Sequence, residues 1–263
     1  MAVSSQTKAK MRRFFRQVWT QIAYIAPAII LLIAGFVFAY QFVRPAPPDR
    51  ITMATGGASG AYFANGQAYA DYFKKERFEL DLKQTAGSVE NLGLLTDESA
   101  DVPTAFVQGG IGSPSEQPDL RSLGSIYYEP IWVFVRGDSA PDRLTALKGL
   151  RIAVGTVGSG TRAVALPLLE DNGITAETAT LSEIGGDDAL TALEEGSVDA
   201  AIFVGSARSK TIGSLLTASG IAAMSFERAE AYVRRNAFLS KVVLPMGTLD
   251  LERNLPDRDI VLL

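Results

Sequence analysis

The 263 residues include no histidine and no cysteine. Without histidine there is no Ser-His-Asp or Cys-His catalysis and no imidazole-held metal. Without cysteine there is no thiolate zinc site, no disulfide framework and no lipid-anchored cysteine. The chain also lacks GxxxxGK[ST], and GGASGA does not supply GxGxxG in register, so neither common nucleotide cradle is present. No SxxK spacing stands at a helix start in the domain from residue 49, and no apolar-flanked pair of carboxylates suggests a general acid and base. The expectation is a protein that is not an enzyme and that holds no metal and no cofactor.

Acidic residues are missing from the first 48 positions, which carry six basic ones. The rest holds 19 basic and 29 acidic residues, a net charge of −10. Such a domain is not built to hold phosphate backbones, so no nucleic acid partner is expected. Residues 22–43, IAYIAPAIILLIAGFVFAYQFV, contain no charge. At about 1.5 Å per helical residue they can cross a hydrocarbon core of about 30 Å. The run exceeds a secretion signal's apolar region of about 7 to 15 residues, and its Ala-Tyr-Gln exit is a poor cleavage site. Lys8, Lys10, Arg12, Arg13 and Arg16 precede it and hold the N-terminus in the cytoplasm. The expected order is a cytoplasmic basic tail (1–21), a membrane anchor (22–43) and a stiff proline-rich spacer, RPAPP (44–48).

From residue 49 strand-like and helix-like runs alternate. Strands are expected at 51–54, 78–82, 105–107, 151–154 and 198–204, with more strand within 120–132. Helices are expected at 61–75, 89–95, 161–171 and 187–195. This alternation predicts a parallel α/β architecture. ITMATGGASGAYF and IAVGTVGSGTRAV echo each other about 100 residues apart, as one unit in each lobe of a two-lobed protein would.

Each echo is a strand, a glycine turn and a helix start. A helix start exposes unpaired N–H groups and the positive end of the helix dipole. Glycine lets those groups approach a carboxylate or phosphate closely. Gly57, Ser59 and Gly60 form one candidate cluster, and Ser159, Gly160 and Thr161 the other. A single such turn is a plain connection; a matched pair favours anion binding. Ser88, in QTAGSVENLGLL, reads equally as a helix cap or a ligand contact. Arg162 reads as a bidentate partner for a ligand carboxylate or as a solvent-facing side chain. Tyr62, Tyr127 and Trp132 could wall a pocket, whereas Phe134 belongs to a core.

TGGASGAYFANG, TAGSVENLGLL, YYEPIWVFVR, LKGLRIAVGTVGSGT and VDAAIFVG occur in an order that resembles the TAXI-type solute-binding proteins, the extracytoplasmic receptors of TRAP transporters. The resemblance runs from about Ile51 and weakens after Ser206. It implies a two-lobed periplasmic-binding-protein-like α/β fold, here preceded by one N-terminal transmembrane helix. Its ligand would be a small carboxylate, an organic acid or an acidic amino acid such as glutamate. Gly57, Ser59, Tyr62, Ser88, Ser159 and Thr161 match the family's ligand-contact motifs, and Tyr127 falls where the lobes meet. The partner would be TRAP permease subunits or another membrane protein, at a bacterial inner membrane with the domain outside. Three departures stand out. The anchor replaces a removed signal, VQGGIG lacks an aspartate, and relatives continue beyond DRDIVLL. The lobes are therefore expected at 49–130 and 131–225, with 226–263 a shortened return toward the first.

Overall fold

The computed structural model describes residues 5–42 and 48–263 and divides the chain into two units, Met1–Pro48 and Asp49–Leu263. Apart from Pro48, the spacer lies outside the described residues. In the first unit, α1 (Ser5–Tyr40) runs for 36 residues with Pro27 inside it. Its stretch Val18–Tyr40, 23 residues, is long and apolar enough to cross a membrane.

The second unit opens with β1 (Arg50–Ala54), α2 (Ala61–Lys75), β2 (Glu79–Lys83), α3 (Ser88–Thr96) and β3 (Thr104–Ala105). These strands form a parallel sheet in the order β2-β1-β3. The chain then crosses to β4 (Ile131–Arg136), followed by β5 (Arg151–Ala153), α4 (Gly160–Glu170), β6 (Thr180–Ser182) and α5 (Gly186–Glu195). β7 (Ala200–Val204), α6 (Lys210–Thr217) and β8 (Ile221–Ala223) complete a five-stranded sheet in the order β6-β5-β7-β4-β8. In it β4 runs antiparallel to both β7 and β8. The second sheet is therefore mixed, not wholly parallel as the alternation suggested. β4 arrives by a crossover from the other sheet instead of through a helix, so nothing forces it parallel.

Residues 106–130 contain no strand, so the strand expected within 120–132 begins only at Ile131, where β4 starts. Pro114, Pro118 and Pro130 punctuate this stretch, and proline cannot donate to a ladder. Leu123 and Tyr128 project into solvent at 93% and 73% exposure, with no neighbouring strand to cover them.

The last part of the chain, α7 (Ala229–Arg235), β9 (Val242–Leu244) and β10 (Ile260–Leu262), departs from the expected return toward the first lobe. Leu244, Ile260 and Leu262 pack with Trp132 and Phe134, and Leu239 and Leu263 with Ile131 and Val133. Ile131 N–H donates to the Leu263 carbonyl at 2.8 Å, and Phe226 N–H to that of Val261 at 2.8 Å. The apolar alternation of IVLL is satisfied by the cores flanking β4, which are larger than anything the three-stranded sheet offers. Phe238 reaches back, against Gly110.

Trp132 is fully buried, stacks on Phe134 with centroids 6.0 Å apart, and donates from its indole N–H to the Gly205 carbonyl at 2.8 Å. It is a core residue, not a pocket wall. Trp132→Ala should cost about 3–5 kcal/mol of domain stability in denaturant titration, whereas Leu123→Ser should change it by less than about 0.5 kcal/mol.

Candidate functional site: a cleft of open helix starts

Every helix from α2 to α6 begins just after the carboxyl end of a strand, and residues from all five N-terminal turns line one cleft of about 510 Å³. Gly60 is the N-cap of α2 and gives it no side-chain cap. Among the described residues, the N–H groups of Ala61 and Tyr62 find no protein acceptor. At α4, Ser159 is the N-cap and accepts from Arg162 N–H at 3.2 Å, which leaves the N–H groups of Gly160 and Thr161 open. Two uncapped amide pairs, one following each sheet, thus border the same space. The tight turn before α4 depends on Gly155, whose φ is +95°. A Cβ there would fall 2.9 Å from both Arg162 N and Ser159 Oγ.

Eight of the ten candidates line this cleft: Gly57, Ser59, Gly60, Tyr62, Ser88, Ser159, Gly160 and Thr161. Two do not. Tyr127 borders a separate cavity of about 210 Å³ behind the crossover, lined by Gln108, Tyr128, Pro130 and Phe238 among others. Arg162 Nη2 is held at 2.7 Å by the carboxylate of Glu183, while its Nη1 is buried with no hydrogen-bond partner among the described residues. The side chain is absent from the cleft lining.

Ser88 is not the helix cap that one of its sequence readings offered. It is 1% exposed, and the N-cap of α3 is Gly87. Its Oγ accepts from Gln108 N–H at 3.0 Å and lies 3.3 Å from the Tyr62 hydroxyl. It therefore ties α2 and α3 to the crossover segment. The amides that α3 leaves open go to the other lobe. Val89 and Glu90 N–H both donate to the Gly158 carbonyl, at 3.2 and 3.3 Å. Ser159 also has less to give than expected, because its hydroxyl donates to the Thr156 carbonyl at 2.7 Å.

Sequence reasoning missed Glu129, Gln108, Asp187 and Asp188, all on the lining. Tyr62 donates to Glu129 Oε2 at 2.7 Å, and Tyr127 to Oε1 at 3.4 Å. Burial raises the Glu129 carboxyl above the usual glutamate range, outweighing the lowering effect of both tyrosines. The Tyr62 phenol is raised too, first by burial and then by the charge of Glu129, so it stays a donor. The pattern Tyr-Tyr-Glu-Pro before a buried strand was the signal for a carboxylate at the crossover; its distant partner Tyr62 was not legible.

The decisive comparison is with a protein family. A family model described as NMT1-like matches residues 53–256. The chain belongs to the NMT1-like family. Among solved structures, this family member is similar to a protein from Bordetella bronchiseptica RB50 at 24% identity and a TM-score of 0.51, over 72% of this chain and 60% of that one. It thus spans less than two thirds of that protein's length. It is also similar to an ancestral arginine-binding protein (13% identity, TM-score 0.49, 67% of this chain and 79% of that one). A third likeness is to the periplasmic aliphatic sulphonate binding protein of Escherichia coli (16%, TM-score 0.42, 68% and 57%). The likeness to the Bordetella bronchiseptica structure is one of mixed α/β fold.

Two outcomes follow from the geometry. Gly158 has φ of +84°, and an added Cβ would lie 3.2 Å from Ala86 Cβ. Gly158→Ala should therefore cost about 1–3 kcal/mol by denaturant titration. A carboxyl whose folded pKa lies above its unfolded one adds stability at low pH. That stability is lost as pH rises from the ordinary 4.5 through the raised value. Glu129→Gln should remove this loss, so the variant gains on the parent between pH 4.5 and pH 8 in paired denaturation curves.

Proposed function

We propose that the Asp49–Leu263 unit is an extracytoplasmic solute-binding domain, held at a bacterial inner membrane by α1, that captures a small carboxylate for a TRAP-type transporter. The carrying observation is the pair of uncapped amide clusters, Ala61–Tyr62 and Gly160–Thr161, bordering one cleft between two sheets. Helix starts of this kind favour an anion by backbone donors and dipole together. A carboxylate there would accept from N–H groups of both lobes, with Ser59 and Thr161 hydroxyls beside them. Binding would then favour the closed arrangement and exclude water, which strengthens each bond. The order of motifs from TGGASGAYFANG to VDAAIFVG supports the TAXI assignment within the NMT1-like family, and organic acids or acidic amino acids such as glutamate are the first ligands to try.

The apolar helix supports a single-pass anchor with the basic tail in the cytoplasm and the domain outside. A tethered receptor cannot diffuse between transporters, and that observation favours a second reading, a sensor that reports the solute to a membrane partner. Co-purification from crosslinked membranes separates the two: permease subunits support transport, and a signalling protein supports sensing.

Binding is tested on the full chain in detergent micelles by thermal shift against a panel of carboxylates. A ligand at 100 times its Kd should add about 2.7 kcal/mol of stability. A Cβ at Gly57 meets nothing within 4 Å, so the fold accepts a side chain there while the cleft does not. Gly57→Trp should keep the parent's melting temperature without ligand and lose the shift. A folded parent that answers no acid would refute the reading.

A further inference from the structure

The cleft holds carboxylates and no fixed cation. Glu129, Asp187 and Asp188 lie on its lining, and among the described residues no lysine or arginine does. None of the three acids takes part in an ion pair among the described residues. Asp187 is turned toward α6, where it accepts from the Thr211 hydroxyl at 2.8 Å. Glu129 faces Tyr62 from α2 and Tyr127 from its own crossover segment, both neutral donors. A half-buried carboxylate with neutral partners alone is less well stabilised in its charged form than one facing a cation, and an ammonium would satisfy it. The amide clusters, by contrast, bring partial positive charge without any mobile base. The surface is thus polarised: donors at the starts of α2 and α4, acids at the crossover and at the start of α5.

Resting on the solute-binding reading above, we infer that the cleft selects a zwitterion without net negative charge, its acid group on the open amides and its ammonium on Glu129. Glu129 is then the specificity-determining residue. Asp187 and Asp188 act with it, because their negative field penalises a second acidic group on the ligand. Plain organic acids and dicarboxylates bind less well than neutral amino acids or aminosulfonates, although the anion site itself would accept either acid.

The experiment uses the full chain in detergent micelles and isothermal titration with matched probes: alanine against propionate, taurine against ethanesulfonate, glutamine against glutamate, and glutamate against glutarate. In each pair that binds, the member with the more positive net charge should bind at least about tenfold tighter, the scale of one charge-assisted hydrogen bond. Glu129→Gln should shrink the amino-against-deaminated ratio to below about threefold while leaving the deaminated acid's own affinity equal or better. Equal or tighter binding of the deaminated acid by the parent would mean that the Glu129 carboxyl donates a proton to the ligand instead, and would overturn the inference while the solute-binding reading stands. A parent preference that survives in Glu129→Gln would remove Glu129 from the role. No heat with any probe, from a parent that binds no carboxylate in thermal shift, would bring down the broader reading with it. Were Glu129→Gln not to fold, the parent's own ranking within the pairs would still decide.

Discussion

Backbone amides that their own helices cannot use are what the organisation of this domain turns on. Each strand-to-helix connection in the two sheets delivers a first turn with open N–H groups to one place. Some are closed locally, as Ser159 closes Arg162 and Ser209 closes Ile212. Those of Val89 and Glu90 are closed across the gap by Gly158. Those at Ala61, Tyr62, Gly160 and Thr161 find no protein acceptor among the described residues, and their residues line the cleft. Buried donors left without acceptors cost free energy, so a space bordered by them is predisposed toward an acceptor from outside.

The side chains around these amides have mostly structural duties. Asn91 donates to the carbonyls of Thr55 and Phe106, at 2.6 and 2.8 Å, pinning α3 beneath β1 and β3. Thr85 donates to the Asn91 side chain at 2.6 Å. Ser88 fixes Gln108, and Tyr62 reaches from α2 to the crossover carboxylate. A polar network that is satisfied throughout holds a single geometry, and here that geometry aims two helix starts at a common point.

Much of this was legible in the sequence, and the failures have physical causes. Helices α2 to α5 showed because their glycine turns and caps mark where the chain changes direction: α2, at Ala61–Lys75, fell where its stripe of tyrosines placed it, whereas α6 and α7 were not read from the sequence. The clusters at Gly57–Gly60 and Ser159–Thr161 were visible for the same reason. Crossing between sheets leaves no such mark. Residues 120–130 have strand-like composition but no partner, and β4 runs against its neighbours for topological reasons that a local pattern does not carry. The partners of Arg162 and Glu129 lie 21 and 67 positions away, so what neutralises the first and leaves the second without a base is a product of folding alone. The C-terminal strands misled most, because an apolar run says that it will be buried without saying in which core.

The bridge from α3 to Gly158 is made of main chain on both sides. Exchange of side chains along the mouth therefore leaves these two bonds in place. A lineage could retune the pocket for a new solute by altering residues such as Glu129 or Thr161 while inheriting the same contact between the lobes. Chemical selectivity and the joining of the lobes would then evolve as separable traits.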